Sequence, residues 1–176
     1  MPKNSLPPSD DDKIKALADI RYEFEQLAIL FLLAPFPLGV LGNARLEALL
    51  VHVRLLLSFF KDSTRKRGLK DVLAADYGFK AKGFPFDNQK FRDRLNQDLA
   101  HLSYERTRRL DKRWRPAEFV PVMLVRCKAF ADMVVNELLN KVDVKEADGW
   151  RGLVQLLSGI TVPGFEPLPQ ARDQSD

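Results

Sequence analysis

Arg94 and His101 stand seven residues apart in the stretch FRDRLNQDLAHLSYERTRR, Phe91 to Arg109. In a helix that spacing returns two side chains to nearly the same face, about 10 Å apart along the axis. Such a pair suits phosphodiester chemistry. Arginine is a rigid, permanently charged donor array that matches phosphate oxygens. An imidazole with an unshifted pKa near 6.5 can transfer a proton, and a positioned proton-transfer group typically contributes about 10²–10⁴-fold in rate. Asp98 lies four residues after Arg94 and three before His101, where it can orient the imidazole or bridge it to the guanidinium. The structural reading is equally physical: an Arg94–Asp98 pair at i,i+4 stabilises a helix surface by roughly 0.2–0.5 kcal/mol.

Basic and aromatic residues follow directly. Tyr104 precedes Arg106, Arg108, Arg109, Lys112 and Arg113, an arrangement in which a ring can stack a base while cations track a single-stranded RNA backbone. Tyr104 and Phe91 can instead bury aromatic area in a helix seam, and Trp114 and Trp150 present the same choice. A second basic stretch runs from Lys61 to Lys70, and the net charge is +4. Both segments can attract phosphate or an acidic partner.

These residues need a scaffold, and apolar periodicity supplies it. Ile14, Leu17, Ile20, Phe24 and Leu27 recur every three or four residues and predict a first helix from near Asp11, ended by Pro35 and Pro37. Asn43 is the expected cap of a second helix reaching about Asp62. Leu46, Leu49, Leu50, Val53, Leu56, Leu57 and Phe60 form its stripe, and Val51, Leu55 and Phe59 widen it, which predicts a central helix with neighbours on more than one side. A short helix is expected around Leu69–Tyr77, then a loop with aromatic anchors over Phe79–Asn88. Asp87 is the expected cap of the next helix, with stripe Phe91, Leu95, Leu99 and Leu102. Pro116 and Pro121 mark the start of a further helix through Leu139, and Trp150, Leu153, Leu156 and Leu157 a last one, closed near Gly159. The prediction is an all-α, compact four- to six-helix bundle. Residues 1–10 read as a flexible arm, 11–158 as one helical domain and 159–176 as a flexible tail.

Composition narrows the function classes. With 176 residues and 45% hydrophobic content the chain can bury a sizeable core. No Walker loop, dinucleotide fingerprint or clustered Cys/His set is present, so no cofactor and no metal are expected. Cys127 is the single cysteine, which fits a reducing, cytoplasmic setting. The N-terminus lacks a secretory pattern, Pro35 and Pro37 interrupt the most apolar stretch, and no membrane span is expected.

The segment RLNQDLAH, Arg94 to His101, resembles the HEPN superfamily, whose pattern is an arginine, six intervening residues and a histidine. NARLEALLVHVRLLLSFF, Asn43 to Phe60, adds a weaker likeness to small uncharacterised bacterial proteins of the same helical layout. The resemblance spans about Asp11 to Leu139. It implies a compact helical bundle that pairs as a homodimer, and a metal-independent endoribonuclease in which His101 transfers the proton and Arg94 positions the scissile phosphate. It also implies roles in bacterial stress response or defence, with a regulatory protein as a possible further partner. At one position the chain departs from the pattern: catalytic members usually carry a polar residue after the arginine, often asparagine, and here Leu95 belongs to the apolar stripe.

The alternative class is a noncatalytic helical module that assembles with protein or nucleic acid. Its motivation is the breadth of the apolar faces from Val51 to Phe60 and from Val120 to Leu139. His52, set among large apolar residues, reads as a satisfied interior or interface histidine. Glu47, Arg54 and Lys61 share a seven-residue spacing that suits a solvated edge or a dimer seam. His52 and Arg54 are thus the interface candidates.

Overall fold

Asp10, Asp11 and Asp12 open the first helix, where the exposed backbone N–H groups and the helix dipole favour negative charge. The computed structural model describes residues 8–34, 39–61, 71–100 and 113–160. Among them the secondary structure is entirely helical, and the fold is a helical bundle. Helix α1 is Asp10–Leu32, α2 is Val40–Phe59, α3 is Gln89–Ala100, α4 is Val120–Met133 and α5 is Val144–Ser158. A π-helical turn, Val134–Leu138, prolongs α4.

The caps explain several boundaries. Ser9 and Asp12 form a reciprocal capping box, so the chain is ordered slightly before the expected start at Asp11. Helix α2 starts three residues before Asn43: the turn is made at Gly39, whose φ of 96° suits only glycine, and Asn43 simply donates its backbone N–H to the Gly39 carbonyl. At α3 the cap is Asn88, whose side-chain oxygen accepts from the Phe91 N–H at 3.0 Å. Asp87, expected in that role, instead holds the Arg92 guanidinium through both oxygens. The short helix expected around Leu69–Tyr77 is a 3₁₀ turn at Ala74–Tyr77, closed by Gly78 in the left-handed region. Asp143 caps α5 by accepting from the Glu146 N–H.

Helices α1 and α2 pair antiparallel, with Glu23 beside His52 and Ile20 beside Leu56 and Phe59. Helices α4 and α5 pack on α1, and α3 packs on α2. The centre is aromatic. The Phe24 ring lies within 5.8–6.2 Å, centroid to centroid, of Phe59, Phe60, Phe130 and Trp150. Leu17, Leu49, Val53, Met123 and Cys127 complete a dry core, and full burial of each large side chain contributes about 1.5–3 kcal/mol. The loop from Phe79 to Asn88 behaves as expected, anchoring Phe79 and Phe84 against Phe60.

Helix α2 has neighbours in both α1 and α3, and Phe59 is buried, but Val51 and Leu55, which widen its apolar surface, are exposed among the described residues. Periodicity counts apolar positions, whereas coverage depends on which other elements reach them. No described helix is long and apolar enough to cross a membrane.

Candidate functional site

Leu95 is buried and fixes the rotation of α3, so Arg94 and Asp98, one turn apart, flank the packed face. Residues 113–115 lie against them. The Arg94 guanidinium carbon sits 4.2 Å from the centre of the Trp114 ring, a cation–π contact. Its Nη2 donates to the Arg113 carbonyl at 2.8 Å. Trp114 Nε1 donates to Asp98 Oδ2 at 2.9 Å. Arg94 Nε faces the same carboxylate oxygen at 3.7 Å, an ion-pair distance and too long for a hydrogen bond. That Nε–H is buried without a hydrogen-bond partner.

Trp114 is itself held by rings. Its centroid is 5.4 Å from Phe91 and 5.9 Å from Phe119, both near edge-to-face. The guanidinium therefore sits over a ring that is itself fixed by packing. Sequence reasoning left Trp114 as either a stacking or a packing residue, and in the structure it is the platform for Arg94. Nothing local in the sequence signals a contact across 20 positions.

The structure brings Arg94 and Asp98 together and adds the backbone of Arg113, whose side chain is exposed. The expected catalytic His101 and the RNA-binding candidates Tyr104, Arg106, Arg108, Arg109 and Lys112 lie outside the described residues. His52 faces inward to α1: its Nδ1 is 2.6 Å from Glu23 Oε2 and its ring meets Tyr22 edge-on. Arg54 is exposed on α2. Among the described residues no group of three His, Cys, Asp or Glu side chains is placed to hold a metal.

Comparison of the chain with protein-family models, with curated proteins and with solved structures finds no match.

A second arginine escaped the sequence reading. Arg126 on α4 stacks over Phe84, 4.5 Å from the ring centre, and its Nη1 is buried without a hydrogen-bond partner. Burial lowers this guanidinium's pKa below its ordinary value, the direction expected when desolvation outweighs compensating charge. The sequence gives no hint of this, because RCK in the middle of an apolar helix reads as a surface position.

Proposed function

We propose that the protein is a metal-independent, HEPN-like endoribonuclease or RNA-processing protein, acting in the cytoplasm as a homodimer in stress response or defence. The observation that carries this reading is the Arg94 guanidinium held over the Trp114 ring, seven residues before His101 in the sequence. A guanidinium fixed in advance loses little freedom when it meets a phosphate, which is how positioned charge lowers a barrier. In the proposed reaction His101 takes the proton of an RNA 2′-hydroxyl and the 2′-oxygen bonds to phosphorus. The bond to the 5′-oxygen breaks, that oxygen takes a proton from water, and a 2′,3′-cyclic phosphate is left on the other fragment. Arg94 neutralises the phosphate oxygens as charge accumulates. The test is cleavage of single-stranded and structured RNA in EDTA. Activity lost in His101→Ala with the circular-dichroism spectrum intact supports the reading, and intact RNA across a broad substrate and pH screen sinks it.

A second reading is favoured by a separate observation. The bonds of Arg94 to the Arg113 carbonyl and of Trp114 to Asp98 tie residues 113–115 to α3, which is sufficient reason for these side chains in a noncatalytic binding or assembly module. Under that reading Arg94→Ala changes stability alone, and no RNA is cleaved by the parent protein.

A further inference from the structure

Among the described residues helix α2 leaves one side uncovered, and the side has a pattern. Val40, Ala44, Val51 and Ser58 fall within about 20° of a single line down the helix. Glu47 and Arg54 lie about 40–60° to one flank, and Ala48 and Leu55 about 40–60° to the other. Val40 is 87% exposed, Leu41 61%, Leu55 47% and Val51 43%. Among the described residues neither the Glu47 nor the Arg54 side chain has an ion-pair partner. Beside the Leu55 flank a mainly apolar groove of about 180 Å³ opens between α1 and α2, lined by Ile20, Leu55, Phe59 and Val72 together with the acidic residues Asp19 and Glu23.

We propose that this side of α2 is a docking surface for a second copy of the chain, the two α2 helices crossing antiparallel with the two-fold axis at Val51. The charges determine the direction. Glu47 lies about 6 Å before Val51 along the axis and Arg54 about 4.5 Å after it. A two-fold axis that reverses one helix therefore sets Glu47 opposite the partner's Arg54 on the same flank, twice per dimer. Parallel helices related by a two-fold would instead swap the flanks, setting Glu47 over the partner's Ala48 and Arg54 over its Leu55, so that neither charge meets an opposite one. On the midline Val51 meets itself and Ala44 meets Ser58, small enough for close approach. On the other flank Leu55 meets Ala48, and Leu41, about 15 Å before Val51, arrives over the groove at Phe59 on the partner. The most exposed apolar end of α2 thus covers the groove between α1 and α2 of the other copy. An isologous contact requires this self-complementarity.

This contact rests on the proposed homodimer and specifies its interface; the surface contains no residue of the α3 cluster, so RNA cleavage tests the proposed chemistry separately from the charge reversals that test the contact. Sedimentation equilibrium of the full chain should show a dimer at micromolar concentration. Glu47→Arg alone, or Arg54→Glu alone, should weaken it by about tenfold or more, since each places four like charges on one flank. Mixing the two single variants in equal amounts should restore the dimer, because each then supplies the charge the other lacks. The double variant E47R/R54E should dimerise on its own. Val51→Asp, at an exposed position that folding does not require, should leave a folded monomer. A monomeric parent at all concentrations, a dimer indifferent to both reversals, or a mixture no better than its components would each overturn the proposal.

Discussion

Arg21 and Arg94 do the same mechanical job and differ in how their charge is met. Each ties a helix to a segment far away in sequence. Arg21, on α1, donates through Nε and Nη2 to the two oxygens of Glu146 on α5 at 2.9 and 3.1 Å, and through Nη1 to Glu25. Its guanidinium pKa is raised, first by the Glu146 bond. The α5 backbone makes room for it: a Cβ at Gly149 would sit 2.7 Å from the guanidinium carbon. Arg94 meets a carbonyl, a ring face and one carboxylate at 3.7 Å. Two carboxylates saturate a guanidinium and make it a rivet. A carbonyl and an aromatic face hold the group in place yet leave it capacity for an anion.

The largest expected difference is functional. Under the RNA reading, His101→Ala and Arg94→Ala each lower cleavage by about 10²-fold or more, whereas Arg21→Met leaves the rate per folded molecule unchanged; single-turnover assays at matched folded fraction measure both. Equal losses from Arg21→Met and Arg94→Ala would erase the distinction.

Stability should rank the other way. Arg21→Met strands Glu146, only partly exposed, and should cost about 2 kcal/mol, the worth of charged hydrogen bonds. Arg94→Met gives up one carbonyl bond and a ring contact and should cost about 1 kcal/mol. Urea unfolding of both variants checks the order.

Gly149→Ala sharpens the point further. In the parent it should cost about 1 kcal/mol, because the added methyl displaces Arg21 by more than the helix gains from alanine. In the Arg21→Met background the obstruction is gone and the same change should stabilise by about 1 kcal/mol. A double-mutant cycle that shows no sign reversal would mean that Gly149 does not serve Arg21.

The smallest effect is at the α1 cap. The Ser9 hydroxyl and backbone hold the Asp12 carboxyl below its ordinary value of 3.8. A depressed carboxyl pKa stabilises the fold above the unfolded value, and that contribution disappears as pH falls through the folded one. The amides of the first turn should therefore fray below about pH 4 while the core amides stay protected, which an NMR titration resolves residue by residue.

Much of this architecture is legible in the chain because it is local. The α1 stripe, the Pro116–Pro121 entry to α4 and the Gly159 stop follow from spacing, and Leu95 reads as core from its own repeat. What is not legible is non-local or decided by competition. Asn88 outcompetes Asp87 as a cap because Arg92 claims the carboxylate. Gly39 outcompetes Asn43 because a positive φ, rather than a side-chain acceptor, makes the turn. Trp114 meets Arg94 across 20 positions of sequence, a contact that no periodicity encodes. Val51 and Leu55 look like core for the same reason that they suit a partner: an apolar side chain does not say whose surface will cover it.

Cys127 has a consequence for handling the protein. It is the single cysteine, fully buried in α4, and burial pushes its thiol well above the ordinary range. The folded molecule is therefore silent to thiol reagents, and each labelling event records an excursion that exposed the centre of the bundle. Mass spectrometry of one adduct becomes a stopwatch for core opening, blind to fraying at the helix ends and readable in an unfractionated cell extract.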